Sequence, residues 1–190
     1  MRHAILLLSV VAITACQDSD ASQPGTARRY RTIGRDATSS EIRAWDIDVN
    51  SSGAGLPSGR GTYAEGVAVF AAQCASCHGA KGEGIPPAPR LVNQGPKEFR
   101  FAEDTKAVKT IGNYWPYSTT LFDYINRAMP YQTPGSLSHD NVYSVVAFLL
   151  AENGIITKDE VMNSRTLPRV KMPGAGHFVV DDRPGGKVFK

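Results

Sequence analysis

Cys74-Ala75-Ser76-Cys77-His78 is the stretch that most restricts what this chain can become. Two cysteines two residues apart, with a histidine directly after them, admit three chemistries: a redox disulfide, part of a zinc site, or covalent attachment of a haem. Each asks for a different scaffold. A thioredoxin-type disulfide sits beside a parallel sheet, and the sequence shows no rhythm of alternating strands and helices. A structural zinc site wants four ligands. The third cysteine is Cys16, far away near the start, and the other histidines (His3, His139 and His177) stand in unpromising places.

The third chemistry uses every residue of the motif. Cys74 and Cys77 supply two thioether bonds to one haem c, and His78 binds its iron as the proximal ligand. The start of the chain agrees with that reading. Met1-Arg2-His3 is a short basic opening, and AILLLSVVAI (4–13) is an apolar run of ten. A run of that length is too short to span a bilayer but suits the core of a signal peptide. It ends in Ile13-Thr14-Ala15-Cys16, which has the form of a lipoprotein cleavage box. The expectation is a signal peptide over 1–15, acylation of Cys16, and a periplasmic protein tethered to the membrane. An ordinary secretory signal with an incidental cysteine is the alternative. One cysteine then goes to lipid and two to haem.

The chain has 190 residues and a formal net charge of +3. The charge is too mild to argue for nucleic acid, and no basic cluster interleaved with aromatics appears. Residues 17–30 read as a flexible tether and complete, with 31–60, an arm over 16–60. Within it, Thr38 to Trp45 suggests a short capped helix and Ile47-Asp48-Val49 a short extended segment. A helical domain is expected over 61–156 and a tail over 157–190. Thr62-x-x-Glu65 is a capping-box pattern. It opens a helix in which Val67, Phe70, Ala71 and Cys74 recur at helical spacing. Thr120-x-x-Asp123 reads as a second cap, for a helix closed by Met129-Pro130. A third helix follows Ser138, with Val142, Val145, Val146, Leu149 and Leu150 as its apolar stripe and Gly154 as its stop. Lys158 to Asn163 reads as briefly helical.

The iron's sixth ligand is assigned to Met129, which a proline follows at a helix end. Met172 is the rival, although no packed element is expected to fix it. Met162 is expected at the surface, His139 exposed, and His177 in an irregular tail. A thioether ligand raises the potential of the iron, as suits an electron acceptor. A carbonyl near Pro86, Pro87 or Pro89 is expected to accept the His78 Nδ1–H. Arg90 and Trp115 are read as donors to the haem propionates, Trp115 also as part of an aromatic cluster on the porphyrin edge.

These residues together resemble a class I cytochrome c over 62–154, an all-α fold with an extended N-terminal arm and C-terminal tail added here. The resemblance rests on Gly66 and Phe70, CASCHG, Met129-Pro130 and LSHDNVYSVVAFLL. It implies His78 and Met129 as axial ligands. It also implies that the first and last helices cross at Gly66, Phe70 and the Val145–Phe148 turn. A narrower resemblance rests on TIGRDATSSEIRAWDIDV, on TIGNYWPYSTTLFDYINRAMPYQTPGSLSHDNVYSVVAFLLAENGI and on LPRVKMP. These segments are similar to the cytochrome subunit of bacterial sulfane or sulfite dehydrogenases of periplasmic sulfur oxidation. That likeness implies a molybdenum-cofactor dehydrogenase subunit as electron donor and a downstream cytochrome c or oxidase as acceptor. It also implies no catalysis by this chain alone. The alternative is a membrane-tethered general mono-haem carrier serving another dehydrogenase or a terminal oxidase. The arm and tail are expected to dock the partner, with Trp45, Leu167, Val170 and Phe178 as apolar anchors.

Overall fold

A computed structural model of the chain describes residues 34–93, 101 and 103–179. The signal peptide, Cys16 and the end of the tail lie outside the described residues. The chain divides into two compact units, Met1–Trp45 and Asp46–Lys190. The described part of the first unit carries α1, Ser39–Trp45. Its start is a reciprocal cap: Glu41 N–H donates to Thr38 Oγ1, and Thr38 N–H donates to Glu41 Oε2 at 2.8 Å. Arg35, paired with Glu41, holds that carboxyl down to about 2, helped by the Thr38 bonds. No residue of α1 is buried, and Trp45 is 88% exposed.

The second unit runs β1 (Arg60–Thr62), α2 (Tyr63–Gln73), α3 (Ala75–His78), α4 (Ser118–Ala128), α5 (His139–Glu152) and β2 (Val161–Asn163). Two short 3-10 turns follow, Leu167–Arg169 and Ala175–His177. α5 is the axle of the unit. Every residue from Val142 to Ala151 is buried, not only the expected stripe, because α2, α4, β1 and β2 all pack against it. A helix that is apolar all round belongs in the middle of a fold. Its ends follow from the sequence: Ser138 Oγ accepts the Asn141 N–H, and Gly154 at φ +59 lets the chain turn away.

α2 begins at the expected capping box, with Thr62 and Glu65 bonded reciprocally. It can touch α5 backbone to backbone because residue 66 is glycine. A Cβ there would collide with the Ser144 carbonyl oxygen and with Phe148. One turn on, the Phe70 and Phe148 rings lie 4.6 Å apart between centroids, so the first and last helices cross where the pattern placed them.

Beyond α5 the structure corrects several expectations. Lys158 to Asn163 is not helical. Thr157 and Glu160 close a single capped turn, and Val161–Asn163 then pairs antiparallel with β1, Met162 facing Gly61. This two-stranded sheet is added to an otherwise helical domain. Met162, expected at the surface, is 1% exposed and part of the core. Met172 and Leu167 are buried in the same core, so Leu167 is no anchor for a partner. Residues 46–59 also pack on the unit. Val49 is buried, Tyr143 donates its hydroxyl to the Pro57 carbonyl at 2.9 Å, and Thr119 donates to the Ser51 carbonyl at 3.0 Å.

α4 starts two residues before the expected cap at Thr120, with Tyr117 preceding it and no side-chain cap bond. Asp123 caps nothing. Its buried carboxylate accepts the Val49 N–H at 2.8 Å and pairs with Arg127 one turn on. The pattern T-x-x-D was real, but tertiary partners took the acid.

Candidate functional site

The break between α2 and α3 falls on the first cysteine. Cys74 ends α2 with its N–H on the Phe70 carbonyl, and its own carbonyl takes the His78 N–H at 2.9 Å. One tight turn therefore presents Cys74, Cys77 and His78 to the same hollow. Both thiols are free and half-buried. Burial, with the Cys77 thiol beside it, pushes the Cys74 thiol up to about 11. A redox-active cysteine needs the opposite shift toward thiolate, and burial moves Cys74 away from it.

The loop after His78 closes the same wall. Gly84 N–H returns to the His78 carbonyl at 2.7 Å and Ile85 N–H to the Cys77 carbonyl at 3.1 Å. Gly79, Gly82 and Gly84 all have positive φ, the conformation this hairpin-like return needs and side chains resist. The loop carries Pro89 to the histidine ring, where its carbonyl lies 3.0 Å from His78 Nδ1. A carbonyl only accepts, so Nδ1 holds the proton and Nε2 of the neutral ring keeps its lone pair for a metal. The far end of the loop is tied down by buried Asn153, whose Nδ2 donates to the Leu91 carbonyl and whose Oδ1 accepts from Asn93 N–H. Sequence reasoning took Gly154 as the helix stop and passed over this asparagine.

The opposite wall comes from α4. Met129 is the residue at its C-terminal end, in extended conformation, with its N–H on the Ile125 carbonyl. Between the walls lies a cavity of about 580 Å³. Cys74, Cys77, His78 and Met129 all line it, with Ile85 and Pro86 to Pro89 on one side and Phe70, Ile125, Val145 and Leu149 behind. Its lining is mostly apolar, with a few polar atoms set at fixed points, the pattern of a cofactor site.

Neither Trp115 nor Arg90 lines this cavity. The Trp115 indole N–H is spent on Thr120 Oγ1 at 3.1 Å, and the ring tilts against Tyr124. Arg90 Nε donates to the Glu83 carbonyl within the loop. Of the rival ligands, Met172 and Met162 are locked in the core away from the cavity walls, and His139 and His177 are exposed.

The residues present fit a covalent haem: two half-buried thiols, an imidazole whose Nδ1 is held by the Pro89 carbonyl, a thioether and an apolar enclosure, all lining one cavity. When bound, such a group supplies one-electron oxidation and reduction at iron. That combination of helical fold and site defines an electron-transferring c-type cytochrome. The cytochrome c family model matches residues 63–152, from the first residue of α2 to the last of α5. Among solved structures, the chain is similar to the sulfane dehydrogenase SoxCD from Paracoccus pantotrophus. The two share 42% identity over 80% of this chain and 72% of that chain, with a TM-score of 0.71. No curated protein sequence matches it. This chain belongs to the cytochrome c family.

Proposed function

We propose that this cytochrome is the electron-accepting subunit of a periplasmic sulfane or sulfite dehydrogenase, paired with a molybdenum-cofactor subunit that oxidises the sulfur compound. One observation carries the reading. The likeness to the sulfane dehydrogenase covers 80% of the chain, well beyond the 63–152 shared with cytochromes c in general. A free carrier needs no such flanks.

In this reading Cys74 and Cys77 would hold the haem covalently, and His78 and Met129 would bind its iron. The Pro89 carbonyl orients the His78 ring, while Phe70, Ile125, Val145 and Leu149 keep water from it. Electrons arrive singly from the molybdenum subunit and leave for a downstream cytochrome c or oxidase. The exposed side chains of Ile42 and Trp45 suit the arm to docking. Cys16 is the lipid attachment point, and a Cys16→Ser protein should be found in the soluble fraction.

The deciding experiment is reduction of the purified holoprotein by sulfite or a sulfane donor, with and without a molybdenum-cofactor dehydrogenase subunit. Reduction only in its presence, in a complex that survives gel filtration, is the expected result. Equal reduction by unrelated dehydrogenases, with no stable complex, would instead make the chain a general tethered carrier.

A further inference from the structure

We infer that Asp123, Thr119 and Ser118 are positioning residues for Met129, and that the packed parts of the arm and tail serve to hold the distal ligand in place. The inference rests on Met129 as the iron ligand. α4 delivers Met129 at its last turn, and its Leu121, Phe122 and Ile125 pack in the core against α5. Apolar packing alone sets no unique position along the helix axis, and directional ties come from three polar side chains. Ser118 Oγ donates to the Leu167 carbonyl of the tail at 2.7 Å. Thr119 Oγ1 donates to the Ser51 carbonyl of the arm at 3.0 Å. Asp123 accepts the Val49 N–H at 2.8 Å.

These three side chains are all buried, where a hydrogen bond left unmade is costly. They bind two segments outside the helix-to-helix region common to the family, residues 46–59 and the turn Leu167–Arg169. Asp123 also pairs with Arg127, two residues before Met129, and Asp48 of the arm adds its attraction to the same guanidinium. The acid therefore couples the arm to the turn that carries the ligand. The proximal ligand depends less on distant segments, because His78 is braced directly by its own loop and Asn153 ties only the far end of that loop.

The test uses the full-length holoprotein and added imidazole, which competes with methionine for ferric iron. Loss of the methionine-to-iron absorption band reports displacement. Asp123→Ala should let imidazole displace the methionine at about tenfold lower concentration, the scale of one lost buried charged hydrogen bond. Asp123→Asn, which keeps an acceptor for Val49, should recover part of the difference. Thr119→Val removes only the tie to Ser51 and should move the midpoint in the same direction by less, which serves if Asp123→Ala fails to load haem. Glu65→Ala, which removes the side-chain half of the α2 capping box, should lower stability with no change in the imidazole midpoint. Unchanged midpoints in the α4 variants, or shifts that merely track lost stability in Glu65→Ala as well, would overturn the inference. Met129→Ala separates the two claims. A band that persists in Met129→Ala would overturn the ligand itself, whereas a band lost there but unmoved in the Asp123 variants overturns only the positioning.

Discussion

The two walls of the haem cavity are built in opposite ways. The proximal wall is one continuous stretch, from Cys74 to Leu91, whose bonds around His78 close over short distances: Cys74 to His78, His78 to Gly84 and Pro89, Gly82 to Leu91, with Asn153 and Ile111 as distant ties only at its far end. The other wall comes from the end of α4 and the residues after it, Ile125 and Met129 to Gln132, on a helix whose polar ties reach Val49, Ser51 and Leu167. These partners lie roughly 50 to 75 positions away along the chain. A ligand on a locally closed loop keeps its place while the rest of the fold loosens. A ligand on a helix fixed by distant segments depends on all of them at once, since loop-closure entropy must be met before such contacts form.

The largest effect should come from the proximal side. His78→Ala should abolish haem-loaded protein, read as the loss of a haem-stained band after denaturing electrophoresis. Met129→Ala, by contrast, should keep the covalent haem and lose only the methionine band. Equal losses of covalent haem in the two variants would erase the asymmetry between the walls.

Next in size is the tail. Leu167 has no exposed surface, and Leu167→Ala should cost about 2–5 kcal/mol in chemical denaturation. Its signature should be early loss of the methionine band while the haem remains attached. A variant as stable as the parent would return the tail to the role of a docking strap.

A smaller effect concerns Tyr143, whose hydroxyl holds the Pro57 carbonyl. Burial pushes this phenol up to about 12, so the folded state favours the neutral form. Its contribution should be complete below the ordinary tyrosine value near 10 and fall away as pH rises toward about 12. Denaturation midpoints across that range should slope downward, and Tyr143→Phe should flatten the slope. The smallest effect is at α2. The Thr62 bonds hold the Glu65 carboxyl below its usual range. That contribution is present above the ordinary carboxylate value and lost as pH falls through the lowered one. Glu65→Gln should remove this acid-side slope from the denaturation midpoint.

The same asymmetry explains what could be read from the residues alone. CASCH, the Thr62–Glu65 box, Gly66 with Phe70, and a proline carbonyl for His78 are short patterns whose partners lie close by or recur at helical spacing. Met129-Pro130 was legible as a helix end beside the haem motif. The supports of the distal wall were not. Asp123 read as a cap because T-x-x-D is a local signature, while its actual partner, Val49, lies 74 positions away. Met162 and Leu167 sit amid polar, proline-bearing sequence that carries no periodicity, and only the pairing of β2 with β1 and the packing of the Leu167–Arg169 turn on α4 show why they are buried. Trp115 drew attention as an aromatic beside the site, yet its N–H serves the start of α4.

The asymmetry is tested most directly by one urea titration of the ferric holoprotein, followed by the methionine-to-iron band and by far-ultraviolet circular dichroism together. The account predicts that the band disappears at distinctly lower urea than the helical signal, with the haem still bound to His78 in the intervening range. Coincident loss of both signals would show that the distal ligand is held as firmly as the fold itself, and would contradict it.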